Sequence, residues 1–106
     1  MLGADHPDTV ATRFAIAQEV AARGDHAGAE DGFRAVFAAR QRTLGPDHPD
    51  TLAARANLAH AYYAMGRLSD ARMLLTSTLA DCERVLAPGD PLTVAVRDSL
   101  AAMANA

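Results

Sequence analysis

Lysine is absent from the 106 residues; all ten cationic side chains are Arg. A P-loop NTPase sets a Lys on the nucleotide phosphates and Schiff-base chemistry needs an amine, so both are closed to this chain. Tryptophan is also missing, and aromatic residues make up only 5%. The single cysteine, Cys82, can form no internal disulfide and cannot alone supply a Cys-rich zinc site. Such usage fits a reducing compartment, and the expected location is cytoplasmic. No apolar run approaches the roughly 20 residues of a membrane span. The stretch Met1 to Pro7 lacks the basic region and apolar segment of a signal peptide. A net charge of −3, with 22% charged residues, excludes a strongly basic nucleic-acid binder and an acidic disordered tail.

What the chain has in excess is alanine, 25 residues, within a composition that is 50% hydrophobic. A core of small residues implies closely stacked helices. The length allows one domain, 1–106. Within it the sequence repeats. Leu2-Gly3-Ala4-Asp5-His6-Pro7-Asp8-Thr9-Val10 returns as Leu44-Gly45-Pro46-Asp47-His48-Pro49-Asp50-Thr51-Leu52. It returns again, weakened, as Leu86-Ala87-Pro88-Gly89-Asp90-Pro91-Leu92-Thr93-Val94. The step is 42 residues, and Arg13/Arg55/Arg97, Ala17/Ala59/Ala101, Gly24/Gly66 and Ala29/Ala71 keep it. The units are 2–43, 44–85 and a partial 86–106.

Each period reads as a pair of helices, A and B. Proline suits the first helical position because its missing N–H is an orphan there. His6, His48 and Asp90 then take the N-cap, and Asp8 and Asp50 complement the helix dipole. Gly24 and Gly66 stop helix A as left-handed C′ residues. Helix B begins near Ala27 or Ser69, with Ser69 as cap and Leu68 and Met73 as a hydrophobic staple. Leu68, Ala71, Leu75, Leu79 and Cys82 follow steps of three and four, as do Leu92, Val96, Leu100 and Met103. Strand alternation is missing, which excludes propeller blades of similar period. Five helices result.

Leu58, Ala59, Tyr62, Gly66 and Ala71, with Ile16, Ala17, Val20, Gly24 and Ala29 in the first unit, resemble the tetratricopeptide repeat. Arg13, Arg55 and Arg97 stand at its Trp-like position. The period of 42 exceeds the usual 34, and the extra residues are expected in the linker from B to the next A. That variant resembles kinesin light chain repeats and bacterial arrays behind signalling NTPases. The resemblance implies an all-α, right-handed solenoid of antiparallel helix pairs, with the small alanines where A crosses B. It implies a peptide groove lined by the A helices. Its positions fall on Phe14 and Gln18, on Ala53, Ala56, Asn57, His60 and Tyr63, and on Ala95, Asp98, Ser99 and Ala102. Asn57 matches the family Asn that grips peptide backbone, against a bland alternative of bonding a neighbouring helix. Of the family's carboxylate clamp only Asn57 survives, so chaperone C-terminal tails are not expected ligands.

The remaining polar groups have structural readings beside functional ones. His6 and His48, flanked by Asp5, Asp8, Asp47 and Asp50, could suggest a metal, but capping explains their repetition better. His26 reads as an isolated surface residue. Cys82 lies on the packing stripe as core filler, without the electropositive setting of a reactive thiol. Glu30 and Asp31 read as a solvated face. The Arg13, Arg55, Arg97 column could bind acidic ligands, or each Arg could cross to a carboxylate of an adjacent helix.

These readings converge on a non-enzymatic protein–protein scaffold without cofactor, metal, nucleic-acid or membrane partner. The partner is a protein or peptide, neutral to basic. The alternative is a structural spacer or oligomerisation segment of a larger bacterial signalling protein, with self-association through open solenoid ends. Rich Ala and Arg without Lys points to a high-GC bacterial genome. Leu2-Gly3 reads as the end of a preceding B helix, Met1 as an added start or cut, and Ala104-Asn105-Ala106 as the place where a further B helix stops.

Overall fold

The computed structural model describes residues 3–104. Five helices follow in order: α1 (Pro7–Ala22), α2 (His26–Leu44), α3 (Pro49–Ala64), α4 (Leu68–Val85) and α5 (Pro91–Ala104). The expectations for Met1, Leu2, Asn105 and Ala106 lie outside the described residues. No helix among those described is long and apolar enough to cross a membrane.

The three A helices begin alike. The N–H of Asp8 donates to His6 Nδ1 at 3.1 Å, and that of Asp50 to His48 Nδ1 at 3.0 Å. In the third copy the N–H of Leu92 donates to Asp90 Oδ1 at 2.9 Å. Each cap satisfies one orphan donor of the first turn. The A helices also end alike. Gly24 and Gly66 adopt φ of 92° and 81°. The N–H of Gly24 donates to the Ala21 carbonyl and that of Asp25 to the Val20 carbonyl; Gly66 to Tyr63 and Arg67 to Tyr62 repeat the pattern. This double bond pair is a Schellman motif.

The B helices differ from the sequence reading at both ends. The cap of α2 is Asp25, whose carboxylate accepts from the Gly28 N–H at 3.0 Å. The cap of α4 is Arg67, which has no side-chain cap bond, so Ser69 lies inside the first turn. Leu68 and Met73 are exposed and form no staple; the Schellman bonds set the cap of α4 at Arg67, two residues before Ser69. The extra residues of the period do not fall in the linker alone. Helix α2 continues through Arg40-Gln41-Arg42, all good helix formers, until Gly45 at φ 91° ends it. Only residues 45–48 connect α2 to α3.

Consecutive helices pack on one another, and α3 also touches α5. The molecule measures 46 × 31 × 18 Å, and the short dimension is about that of two helices in contact. The result is an all-α solenoid of helix pairs. Ala17, Ala29, Ala59 and Ala71 are buried at the A–B crossings, as their register implied. At Gly32 the approach is closer still: a Cβ there would stand 2.8 Å from Ala17 Cβ. Ala101 departs from its series and is exposed, because no described helix follows α5. Leu52, Leu75, Cys82 and Val96 centre the largest core cluster.

Candidate functional site

A shallow depression of about 420 Å³ opens between the C-terminal halves of α1 and α3, with Phe33 of α2 in its lining. Gln18 comes from α1, Asn57 and His60 from α3, and His26 from the start of α2. Gln18 and His60 are one period apart in the sequence, so equivalent faces of two A helices meet there. Two flat steps of alanine, Ala21-Ala22 and Ala61 with Ala64, form its walls. Small side chains leave room for a backbone to approach.

Three of the expected groove residues therefore converge, and a fourth joins through a bond. His60 Nε2 and Ser99 Oγ lie 3.0 Å apart, linking α3 to α5. Partial desolvation beside Ser99 lowers the His60 pKa below its usual 6.5, so the ring is neutral near pH 7 and can accept or donate. The Asn57 amide donates to the Ala53 carbonyl of its own helix at 3.1 Å. It bonds no neighbouring helix there, and its carbonyl oxygen and second N–H are not used in that bond.

Other expected positions lie elsewhere. Phe14, Ala56 and Asp98 share one register. Phe14 is half-buried in the α1–α2 seam, its ring edge-on to Phe33 at 6.0 Å. Ala56 is buried in the largest core cluster. Only Asp98 is exposed. A small or apolar residue at this register packs inward, so it does not present a groove floor. Tyr63 is 42% exposed but does not line the depression. His26, read as isolated, stands on its rim, because the Gly24-Asp25 turn folds the start of α2 back over the end of α1. The spacing of the Schellman glycine from His26 was the available signal.

The Arg column resolves unevenly. Arg55 crosses to α4, donating to Thr78 Oγ1 at 2.8 Å and to Asp81 at 2.5 Å. That hydrogen bond holds the Asp81 carboxyl below its ordinary pKa. Arg97 only grazes Glu83 at 3.5 Å. The positions facing Arg13 one period earlier are Val36 and Ala39, which offer no acceptor side chain. Glu30, expected on a solvated face, is buried beside Arg34 and 3.7 Å from Arg67. Arg34 also donates to the Tyr62 hydroxyl at 3.0 Å, and Arg67 lies over the Tyr62 ring at 4.5 Å. Burial of Cys82 pushes its thiol pKa up, which suits core packing and not nucleophilic chemistry. The Nδ1 atoms of His6 and His48 are committed to capping.

Comparison with known proteins agrees with this architecture. The sequence profile described as tetratricopeptide repeat matches residues 20–84. A crystal structure of nearly identical TPR-like repeats from Podosopora anserina, ascribed to a kinesin light chain, superposes with a TM-score of 0.87 at 30% identity. The match covers 97% of this chain and 49% of that one. A single-substitution variant of that protein gives the same TM-score of 0.87, the same 30% identity and the same coverage. The chain thus spans about half the length of these structures. No curated protein matches the sequence. Repeats of this kind generally mediate protein–protein interaction and form non-catalytic scaffolds. With its profile match, its solved neighbours and its paired helices in agreement, the chain belongs to the tetratricopeptide repeat family.

Proposed function

We propose that the protein is a scaffold that holds an extended peptide or a partner helix along the side formed by α1, α3 and α5. The observation that carries this reading is the convergence of Gln18, Asn57 and His60 on one depression, with Ser99 tied to His60. Alanine walls allow close approach, and uncommitted amide and imidazole atoms can pair with peptide N–H and C=O groups. Asn57 and His60 fix register, while exposed Tyr63 adds apolar contact at the end of α3. Exposed Asp98 and the net charge of −3 favour a neutral to basic partner segment, and disfavour nucleic acid. The reading assigns no catalysis and no cofactor, and places the partner in the cytoplasm, where a lone buried Cys82 stays reduced. A peptide array probed with the whole chain tests it. Binding should fall at least about tenfold in Asn57→Ala or Tyr63→Ala, the loss expected of a hot-spot residue. Binding unaffected by either change would refute it.

One observation favours a second reading, a spacer or oligomerisation segment. Ile16 is 55% exposed, whereas Leu58 at the same register is 5% exposed against α2. A helix stacked on the outer face of α1 would cover Ile16. Light scattering separates the readings: a monomer that still captures peptides supports the groove, and an oligomer dispersed by Ile16→Glu supports stacking.

A further inference from the structure

Arg40 is held unlike the other cations. Among the described residues seven Arg side chains reach a carboxylate: 23, 34, 42, 55, 67, 84 and 97. Of the other three, Arg13 and Arg72 are exposed, whereas Arg40 is half-buried. Its guanidinium lies over the Phe14 ring at 4.9 Å. One N–H reaches the Asp50 carbonyl at 3.3 Å, a long bond. A guanidinium has five donors, and this one spends a single N–H on protein.

Arg40 lines a cavity of about 270 Å³ between the α2 C-terminus and the N-terminal turns of α1 and α3. Val10, Ala11 and Leu44 give it an apolar wall. Its other polar groups are already committed or repel anions. Asp5 is gripped by Arg42 at 2.7 Å, and the Thr43 hydroxyl donates to the Ala39 carbonyl at 2.9 Å. One period later the positions of Val10, Arg40, Leu44 and Asp50 carry Leu52, Cys82, Leu86 and Leu92. Those four belong to or pack on the largest core cluster. The second unit therefore fills with hydrocarbon the place that the first unit leaves open and lines with a cation. Packing alone does not require Arg40.

We propose that this pocket binds a single carboxylate carried on a short apolar stem, the guanidinium fork of Arg40 clasping both oxygens. The source is either a small carboxylic acid or an acidic side chain of a partner peptide. One cation can offset one negative charge, so the second charge of a dianionic phosphate would only add to the repulsion from Asp50. The clasp is charge-assisted and directional, and the Phe14 ring holds the guanidinium in place from behind. The site stands apart from the Gln18–His60 depression by seven to ten residues of α1, roughly 10–15 Å of helix, and does not depend on the groove reading.

The test is an NMR titration of the whole 15N-labelled chain with sodium butyrate. Butyrate should give saturable shifts at Ala11, Thr43, Leu44 and the Arg40 side-chain N–H, with Asn57→Ala unchanged. Arg40→Met should weaken the response about tenfold or more. Arg40→Lys, charged but without the fork, should fall between. Butyramide and inorganic phosphate should leave these signals in place. Given the butyrate response, peptides differing only by Glu or Gln identify the source: added shifts from the Glu and not the Gln form assign a peptide side chain, and shifts from neither peptide assign a small acid. No saturable butyrate response, an equal response to butyramide, a stronger one to phosphate, or one retained in Arg40→Met would overturn the proposal. The butyramide comparison needs no variant, so it decides even if Arg40→Met fails to fold.

Discussion

Arg84 Nη2 lies 2.6 Å from Asp47 Oδ1, with a second bond from Nη1 at 3.1 Å. The pair joins the last turn of α4 to the linker that precedes α3, and Arg42 and Asp5 repeat it one period earlier at 2.7 and 3.0 Å. The third linker has Gly89 at that register. The clasp ties both ends of a helical pair together, a job that neither helix does through its own backbone.

Breaking that clasp should be felt weakly, and as a function of salt and acid. These pairs are exposed, so screening reduces them. The Arg84 hydrogen bond holds the Asp47 carboxyl below its ordinary value of 3.8, and Arg42 does the same for Asp5. A carboxyl with a lowered folded pKa contributes stability above 3.8 that is lost as pH falls through the folded value. Asp47→Asn should lower Tm modestly at pH 7 in low salt. The difference from the parent should shrink in 1 M salt (Debye length about 3 Å) and below pH 3.8. Thermal melts at three pH values check it; a difference that persists in acid contradicts the assignment.

His60 should lose stability in the same direction of pH, from a different cause and at a higher pH. Its folded pKa is depressed by partial desolvation from 6.5. Stability is therefore full above pH 6.5, where folded and unfolded chains are both neutral at this ring. It declines as pH falls from 6.5 toward the folded value, because the unfolded chain takes up the proton first. Following the imidazole by NMR should give a midpoint below 6.5, and His60→Gln should remove this part of the pH dependence. A midpoint above 6.5 would contradict the desolvation argument.

Arg55 should matter more than Arg13 or Arg97. It spends its donors on Thr78, the Ser77 carbonyl and Asp81 in a half-buried seam. Arg55→Met leaves Asp81 with only Arg84, at 3.2 Å. Denaturant unfolding should show a loss of roughly 1.5–3 kcal/mol, the range for hydrogen bonds to charged groups. Arg13→Met should change little.

Gly32→Ala should destabilise by about 1–3 kcal/mol through overpacking, since its Cβ would press on Ala17. Gly66→Ala meets nothing within 4 Å yet should cost roughly 1–2 kcal/mol, because φ of 81° strains an L-residue. Double substitution of Gly32 and Ala17 distinguishes the two causes: Gly at position 17 should rescue Gly32→Ala and do nothing for Gly66→Ala.

Much of the fold was legible before any coordinates. Pro7, Pro49 and Pro91 open the A helices at the predicted step, and Gly24 and Gly66 close them. The B-helix starts were less legible. Ser69 looks like a better cap than Arg67, but the Schellman turn had already placed the chain. The candidate site was half legible. Gln18, Asn57 and His60 meet as expected, whereas Phe14 turns into a seam against Phe33.

Period, helix count, the A-helix caps and the crossing alanines of the first two units were determined by the sequence alone, because each rests on contacts within about four residues or on a pattern repeated every 42. Which side chains from different helices share a space was decided only by the tertiary structure. His60 meets Ser99 across 39 residues, and Arg40 settles on Phe14 beside an open cavity. Such meetings depend on how one helical pair rotates against the next, and that rotation follows from the whole set of packed side chains together.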